Sequence, residues 1–133
     1  MNLNEVIETF ELMDEWEDRY RFIIDLGREL PEFDPTDQTE ENRVRGCTSK
    51  VWLVYTKEGT KVKFKGDSDA HIVRGLVAII LMIFSDKTPQ EIVDTDATPI
   101  LSNLGLSQHL SPMRTNGLFS MVERIKAIGK SFL

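Results

Sequence analysis

KVWLVYTKEGTKVKFK, residues 50–65, decides the fold. Its first half, Lys50 to Thr56, is rich in β-branched and aromatic side chains, and its second, Lys61 to Lys65, alternates strictly, with Val62 and Phe64 on one face. Lys57-Glu58-Gly59-Thr60 between them reads as a hairpin turn. Val44–Arg45 are expected to begin a further short strand that breaks at Gly46–Cys47. The prediction is a small antiparallel sheet of two to three strands.

Helical periodicity lies on both sides of this sheet. Downstream, Ser68 or Asp69 is expected to cap a helix running to about Phe84. Its Ile72, Val73, Leu76, Val77, Ile80, Leu81 and Phe84 cover most of the circumference, which predicts a central buried helix. Thr88-Pro89-Gln90-Glu91 combines a capping box with proline at the first helical position, and Thr98–Pro99 and Ser111–Pro112 repeat that start. The last helix carries Leu118, Met121, Val122, Ile125 and Ile128, with Arg124, Lys126 and Lys130 toward its C-terminal end. Upstream, Leu3, Val6, Ile7, Phe10 and Met13 form one stripe with Asn4 as its cap. Asp14 and Glu17 make a capping-box pattern before a second stripe of Trp16, Tyr20, Ile23 and Ile24, which Pro31 closes. Glu32 to Asn42 reads as an acidic loop. The architecture expected is α+β, helices packed on a small antiparallel sheet.

A chain of 133 residues suggests one domain, 1–133, large enough for a core of its own. With 41% hydrophobic and 29% charged residues it falls in the ordinary globular range. Its one cysteine, Cys47, excludes an internal disulfide and an all-cysteine metal or cluster site. The net charge of −6 argues against nucleic acid as a partner. Residues 1–42 hold 14 acids and 3 bases, whereas 43–133 hold 8 acids and 13 bases, so the only thiol opens the basic part of the chain. The N-terminus has no basic and apolar leader pattern, and Gly75–Phe84 is too short for the roughly 20 residues of a membrane span. A cytoplasmic protein with no membrane partner is expected.

Cys47 is the first candidate for chemistry. A free cysteine is often just a small buried hydrophobe. Here Gly46 precedes it and Thr48–Ser49 follow, a turn composition, and Arg43, Arg45 and Lys50 lie close in sequence. Such cations are expected to lower the thiol pKa from about 8.5 toward neutrality and so favour a reactive thiolate. His71 or His109 as a base would make a Cys–His hydrolase, and either with Asp67 or Asp69 would make a mixed zinc site, but neither histidine sits in a recognised spacing. Gly66-Asp67-Ser68-Asp69 offers too few ligands for calcium and no phosphate cradle. Arg114 is odd, because a cation in the first turn of the last helix opposes the dipole.

Three blocks then carry a resemblance. Arg45-Gly46-Cys47-Thr48-Ser49-Lys50-Val51-Trp52 resembles the Gly-Cys-x-Ser-x-Val-Trp signature of the SufE family of sulfur-acceptor proteins. Lys65 to Ala70 with Ile72 to Leu76 is similar to that family's second block, and Leu106 to Arg114 with Gly117–Leu118 to its third. Trp16 to Tyr20 and Leu30–Pro31 match more loosely. The resemblance implies a chain that takes persulfide sulfur from a PLP-dependent cysteine desulfurase, SufS-like or CsdA-like, stimulates it, and passes the sulfur to an iron–sulfur assembly scaffold. It implies Cys47 as persulfide acceptor, with Gly46, Ser49, Asp69, Arg114 and, more weakly, His109 around it. It implies no cofactor or metal on this chain, with PLP on the partner, and a SufE/IscU-type fold. An exposed persulfide would be lost to reductants, so the Cys47 turn is expected to shield it at rest and open on docking. A Cys-dependent hydrolase and an adaptor that activates a desulfurase allosterically stay open as other readings.

Overall fold

The expected hairpin is built from β1 (Val51–Glu58) and β2 (Lys61–Ser68) in the computed structural model, which describes residues 1–133. Glu58 pairs with Lys61, so Gly59 and Thr60 alone make the turn, and Gly59 takes the φ of +61° that such a tight connection needs. The register Val51↔Ser68, Leu53↔Gly66 and Tyr55↔Phe64 places Val51, Leu53, Val62 and Phe64 on one face, all buried. The sheet has two strands. The upstream segment contributes a single bridge, Arg43↔Trp52, because the chain turns away at Arg45–Gly46 before a ladder can extend.

The buried face meets α3 (His71–Phe84), in which 10 of 14 residues are buried, so this helix is the centre of the core rather than a cover. Helices α1 (Leu3–Glu11) and α2 (Trp16–Arg28) precede the sheet; α4 (Pro89–Asp94), α5 (Ala97–Asn103), α6 (Leu106–His109) and α7 (Pro112–Ser131) follow. A 3-10 turn at Pro35–Asp37 interrupts the acidic loop. The chain is α+β, as expected, and no helix is long and apolar enough to cross a membrane.

Two glycines let α2 and α3 approach closely. A Cβ on Gly75 would overlap the Ile23 carbonyl, and one on Gly27 would lie 2.6 Å from the Gly75 amide nitrogen. Both obstacles are backbone and cannot rotate away. Gly75→Ala is therefore expected to destabilise the fold by about 3 kcal/mol, the upper part of the usual range for overpacking, read as a lower urea midpoint at unchanged m-value. An unchanged midpoint would show that the helices separate freely.

Several expected caps differ. Asn2, not Asn4, caps α1 and forms a capping box with Glu5. The Asp14/Glu17 box does not form, because α2 begins at Trp16 and the Ncap position falls on Glu15, which makes no side-chain cap. Neither Ser68 nor Asp69 caps α3; its Ncap is Ala70, because both polar side chains are drawn to Lys50 instead. Asp96 caps α5 through the Thr98 N–H, which leaves Thr98–Pro99 inside the first turn, where proline is tolerated. The Thr88/Glu91 box and the Ser111 cap form as expected.

Candidate functional site

Cys47 lies on the crossing from the N-terminal helices to β1, and this crossing is tied at both feet. Upstream, Arg124 of α7 donates to the Glu41 carbonyl at 2.8 Å and the Arg43 carbonyl at 3.4 Å, and the Val44 N–H donates to the Val51 carbonyl at 2.8 Å. Downstream, Asp69 accepts the Lys50 N–H at 3.0 Å and Ser68 Oγ donates to the Lys50 carbonyl at 2.7 Å. Between these feet, residues 45–49 make no backbone–backbone hydrogen bond. The tip is held by side chains alone.

At that tip Gly46 has φ +88°, and a Cβ there would overlap the Ser120 hydroxyl, so both conformation and space require glycine. This bend turns the half-buried Cys47 toward α7, where its thiol donates to the Gly117 carbonyl at 3.6 Å. A Cβ on Gly117 would come within 3.4 Å of Sγ, and the absence of a side chain there leaves room for the sulfur. Thr48 Oγ1 donates to Met113 Sδ at 3.5 Å.

Cys47 opens on a cavity of about 180 Å³. Its floor is Val73 and Leu76 of α3 with Met121 of α7, and its rim includes Ser49, Ser111 and Arg114. Arg114 is the only charged side chain in the lining, is exposed, and has no ion-pair partner. The rule-breaking cation of the last helix thus stands over the cavity that holds the thiol. Its own N–H donates to the Ser111 cap, whose geometry fixes where the side chain emerges.

The thiol itself differs from expectation. Burial pushes the Cys47 pKa up, and the Arg43 charge offsets this only in part. Arg43 and Arg45 share the Glu40 carboxylate at 3.5 and 3.3 Å, so much of the cationic field expected from the sequence is spent locally. The S–H bond to the Gly117 carbonyl also favours the protonated form. The thiolate is therefore scarcer at neutral pH than in a small thiol. Iodoacetamide labelling should rise with pH through a midpoint above the roughly 8.5 of free cysteine. The same sign applies to stability. A folded-state pKa above the unfolded one contributes stability below the unfolded pKa and loses it as pH rises through the folded value.

Asp69 acts on the loop through the Lys50 amide and not as a helix cap. Neither His71, exposed at the start of α3, nor His109 lines the cavity, so no imidazole is placed to serve as a hydrolase base there. The His109 ring stacks on Trp16 at 4.0 Å, and its carbonyl accepts the Tyr20 hydroxyl at 2.6 Å. Asp67 faces Arg74 at 3.0 Å, and no group of three or more His, Cys, Asp and Glu side chains converges to hold a metal. Sequence reasoning missed the Arg124 clasp, placing that cation only as a dipole partner. It also missed Met121, whose spacing marked it as an ordinary helix residue, and Met113, which stood inside the third block with no role given.

Comparison with known proteins gives the family and the fold. A family model described as SufE, Fe-S metabolism associated domain, matches residues 4–128. An uncharacterized SufE-like protein of Rhizobium meliloti (strain 1021) is 52% identical over 130 residues, covering 95% of this chain and 93% of its own. Another from Rhizobium etli is 50% identical over 133 residues, covering 97% and 90%. A hypothetical protein from Thermus thermophilus, solved in solution, shares the fold with a TM-score of 0.77 at 20% identity, over 97% of this chain and 93% of that one. By the family model and the two rhizobial relatives, the chain belongs to the SufE family, whose domain is associated with Fe-S metabolism.

Proposed function

We propose that this chain accepts sulfane sulfur onto Cys47 from the persulfide of a PLP-dependent cysteine desulfurase, stimulates that enzyme, and carries the sulfur toward iron–sulfur cluster assembly. The observation that carries this reading is a loop fixed at both feet, with a tip free of backbone hydrogen bonds and a half-buried thiol over a cavity. A cavity of about 180 Å³ is many times the ~15 Å³ that admits one water, so an added sulfur atom has room. Family membership supports the sulfur-metabolic setting.

The step is thiol exchange. Cys47 Sγ, deprotonated, attacks the terminal sulfur of the donor persulfide. A bond forms between Sγ and that sulfur, the donor S–S bond breaks, and the electron pair leaves on the donor thiolate. The proton given up by Cys47 ends on the donor thiol through solvent. No net oxidation or reduction occurs. Arg114 at the rim favours the product persulfide as its anion after transfer. The apolar floor shields the product from reductants, and a tip without backbone–backbone hydrogen bonds permits the sulfur to swing out to a partner.

The test is intact-mass analysis after incubation with a desulfurase and cysteine. A test of the shielding is labelling. Alkylation of Cys47 in the free chain should be slow, and faster in the presence of a desulfurase that lacks its own nucleophilic cysteine. Asp69→Ala removes the acceptor of the Lys50 N–H and is expected to raise the free-state rate about tenfold, the low end of the roughly 1.5–3 kcal/mol that a hydrogen bond to a charged group contributes. Fast, partner-independent labelling of the wild-type chain would rule out the shielding and leave the acceptor role standing.

A further inference from the structure

Four hydrogen bonds join the Cys47 loop to α7, and they fall in order along one side of that helix. Thr48 meets Met113, Cys47 meets the Gly117 carbonyl, and Arg124 meets the carbonyls of Arg43 and Glu41. Gly46 lies against the Ser120 hydroxyl between the last two. Positions 113, 117, 120 and 124 share one face of a helix, so the loop runs antiparallel to α7 in a fixed register. Two of the four bonds involve sulfur, at 3.5 and 3.6 Å, and are weak. The two from Arg124 are charge-assisted, at 2.8 and 3.4 Å. We infer that Arg124 is a positioning residue, whose fork sets the register of the loop on α7 and so seats Cys47 opposite Gly117. The consequence for sulfur, its retention on the seated Cys47, rests on the sulfur-acceptor reading.

No other contact does this work. The Val44 N–H ties the loop to β1 rather than to the helix, and Asp69 acts only at the Lys50 foot. In the middle of the line Gly46 and Gly117 have no side chains to interlock, so polar bonds carry the register. Arg124 is half-buried and makes no ion pair, which leaves its guanidinium to the two carbonyls. A cation also acts on a thiol through its field, which lowers the thiol pKa. Seating acts in the opposite direction, because it buries the thiol and burial pushes the Cys47 pKa up. The other charged groups around the thiol are Arg43, Arg45 and Glu40 on its own segment and Arg114 on α7, while α3 faces it with Val73 and Leu76. All of these stay in place when Arg124 is replaced.

The experiment follows iodoacetamide labelling of Cys47 against pH in the free chain. In Arg124→Ala the midpoint should fall toward the roughly 8.5 of free cysteine, with labelling at neutral pH about tenfold faster. Arg124→Lys keeps the charge and loses the fork, so it should lie between the two; it also serves if Arg124→Ala does not fold. A midpoint that rises or stays in Arg124→Ala would reduce Arg124 to a distant charge and overturn the inference. Gly75→Ala weakens the fold at the α2–α3 crossing, away from the loop, and should leave the midpoint in place. An equal fall in that variant would make the shift a sign of lost stability and overturn the inference as well. Persulfide loaded onto Cys47 from sodium polysulfide should be lost to glutathione faster from Arg124→Ala than from wild type, and equal loss overturns the retention role. Wild-type Cys47 that loads from no persulfide donor overturns the acceptor reading instead, while the labelling comparison still decides the role of Arg124.

Discussion

Cys47 gains mass in steps of about 32 Da, one per sulfur atom, when the chain is mixed with an active desulfurase and cysteine, and Cys47→Ser gains none. This is the largest effect expected, a complete loss. Serine keeps nearly the size of the thiol and is accommodated beside Gly117, so folding should be preserved and the circular dichroism melt should overlay that of wild type. What is lost is the nucleophile, since a hydroxyl does not attack sulfane sulfur. Stimulation of desulfurase turnover should be lost with it, because turnover then waits on release of the donor persulfide. An unmodified Cys47 beside a demonstrably active desulfurase would overturn the acceptor role. Stimulation by Cys47→Ser equal to that of wild type would assign the chain to the adaptor reading.

The second effect is that of Arg114. Arg114→Ala should slow sulfur uptake about tenfold while leaving the melting temperature unchanged or slightly raised. A charge-assisted contact with an anion contributes about 1.5–3 kcal/mol, and exposure of the guanidinium to solvent places it at the lower end of that range. Stability is spared because the side chain has no ion-pair partner and its cation sits at the unfavourable end of the α7 dipole, at a cost of roughly 0.3–1 kcal/mol. Arg114→Lys should recover part of the rate, since it keeps the charge and loses the planar fork. A drop in melting temperature with normal uptake would make Arg114 a structural residue only.

Both effects come from a site partly legible in the sequence. Cys47, with Gly46 before it and Thr48–Ser49 after it, reads as a thiol on a turn, and the loop is one. Arg114 reads as a cation in a place that local rules disfavour. That it lines the same cavity as Cys47 is a matter of α7 crossing beside the loop, 67 positions away along the chain, which no local pattern encodes. The thiol pKa moves opposite to the sequence expectation for a related reason. Sequence counts the neighbouring cations, but burial against α7 and the diversion of Arg43 and Arg45 to Glu40 depend on three-dimensional packing. Asp69 shows the same limit, since a carboxylate just before a helix suggests a cap, while the approach of Lys50 gives it a better-placed donor.

What the sequence alone determined is the set of elements carried by a clear short period. The alternation of 61–65 set the hairpin face, the all-round apolar surface of 72–84 set the central helix, and the Thr88 and Ser111 motifs set two helix starts. These depend on contacts within a few residues, where hydrophobic period and backbone hydrogen-bond satisfaction act without regard to the rest of the chain. Only the tertiary structure decided the close crossing at Gly27 and Gly75, the Arg124 clasp on the loop, and the cavity that joins Cys47 to Arg114. Each of these is an encounter between distant segments. Its energy depends on how buried surfaces fit and on which partner reaches a polar group first, and that is settled only when the core closes.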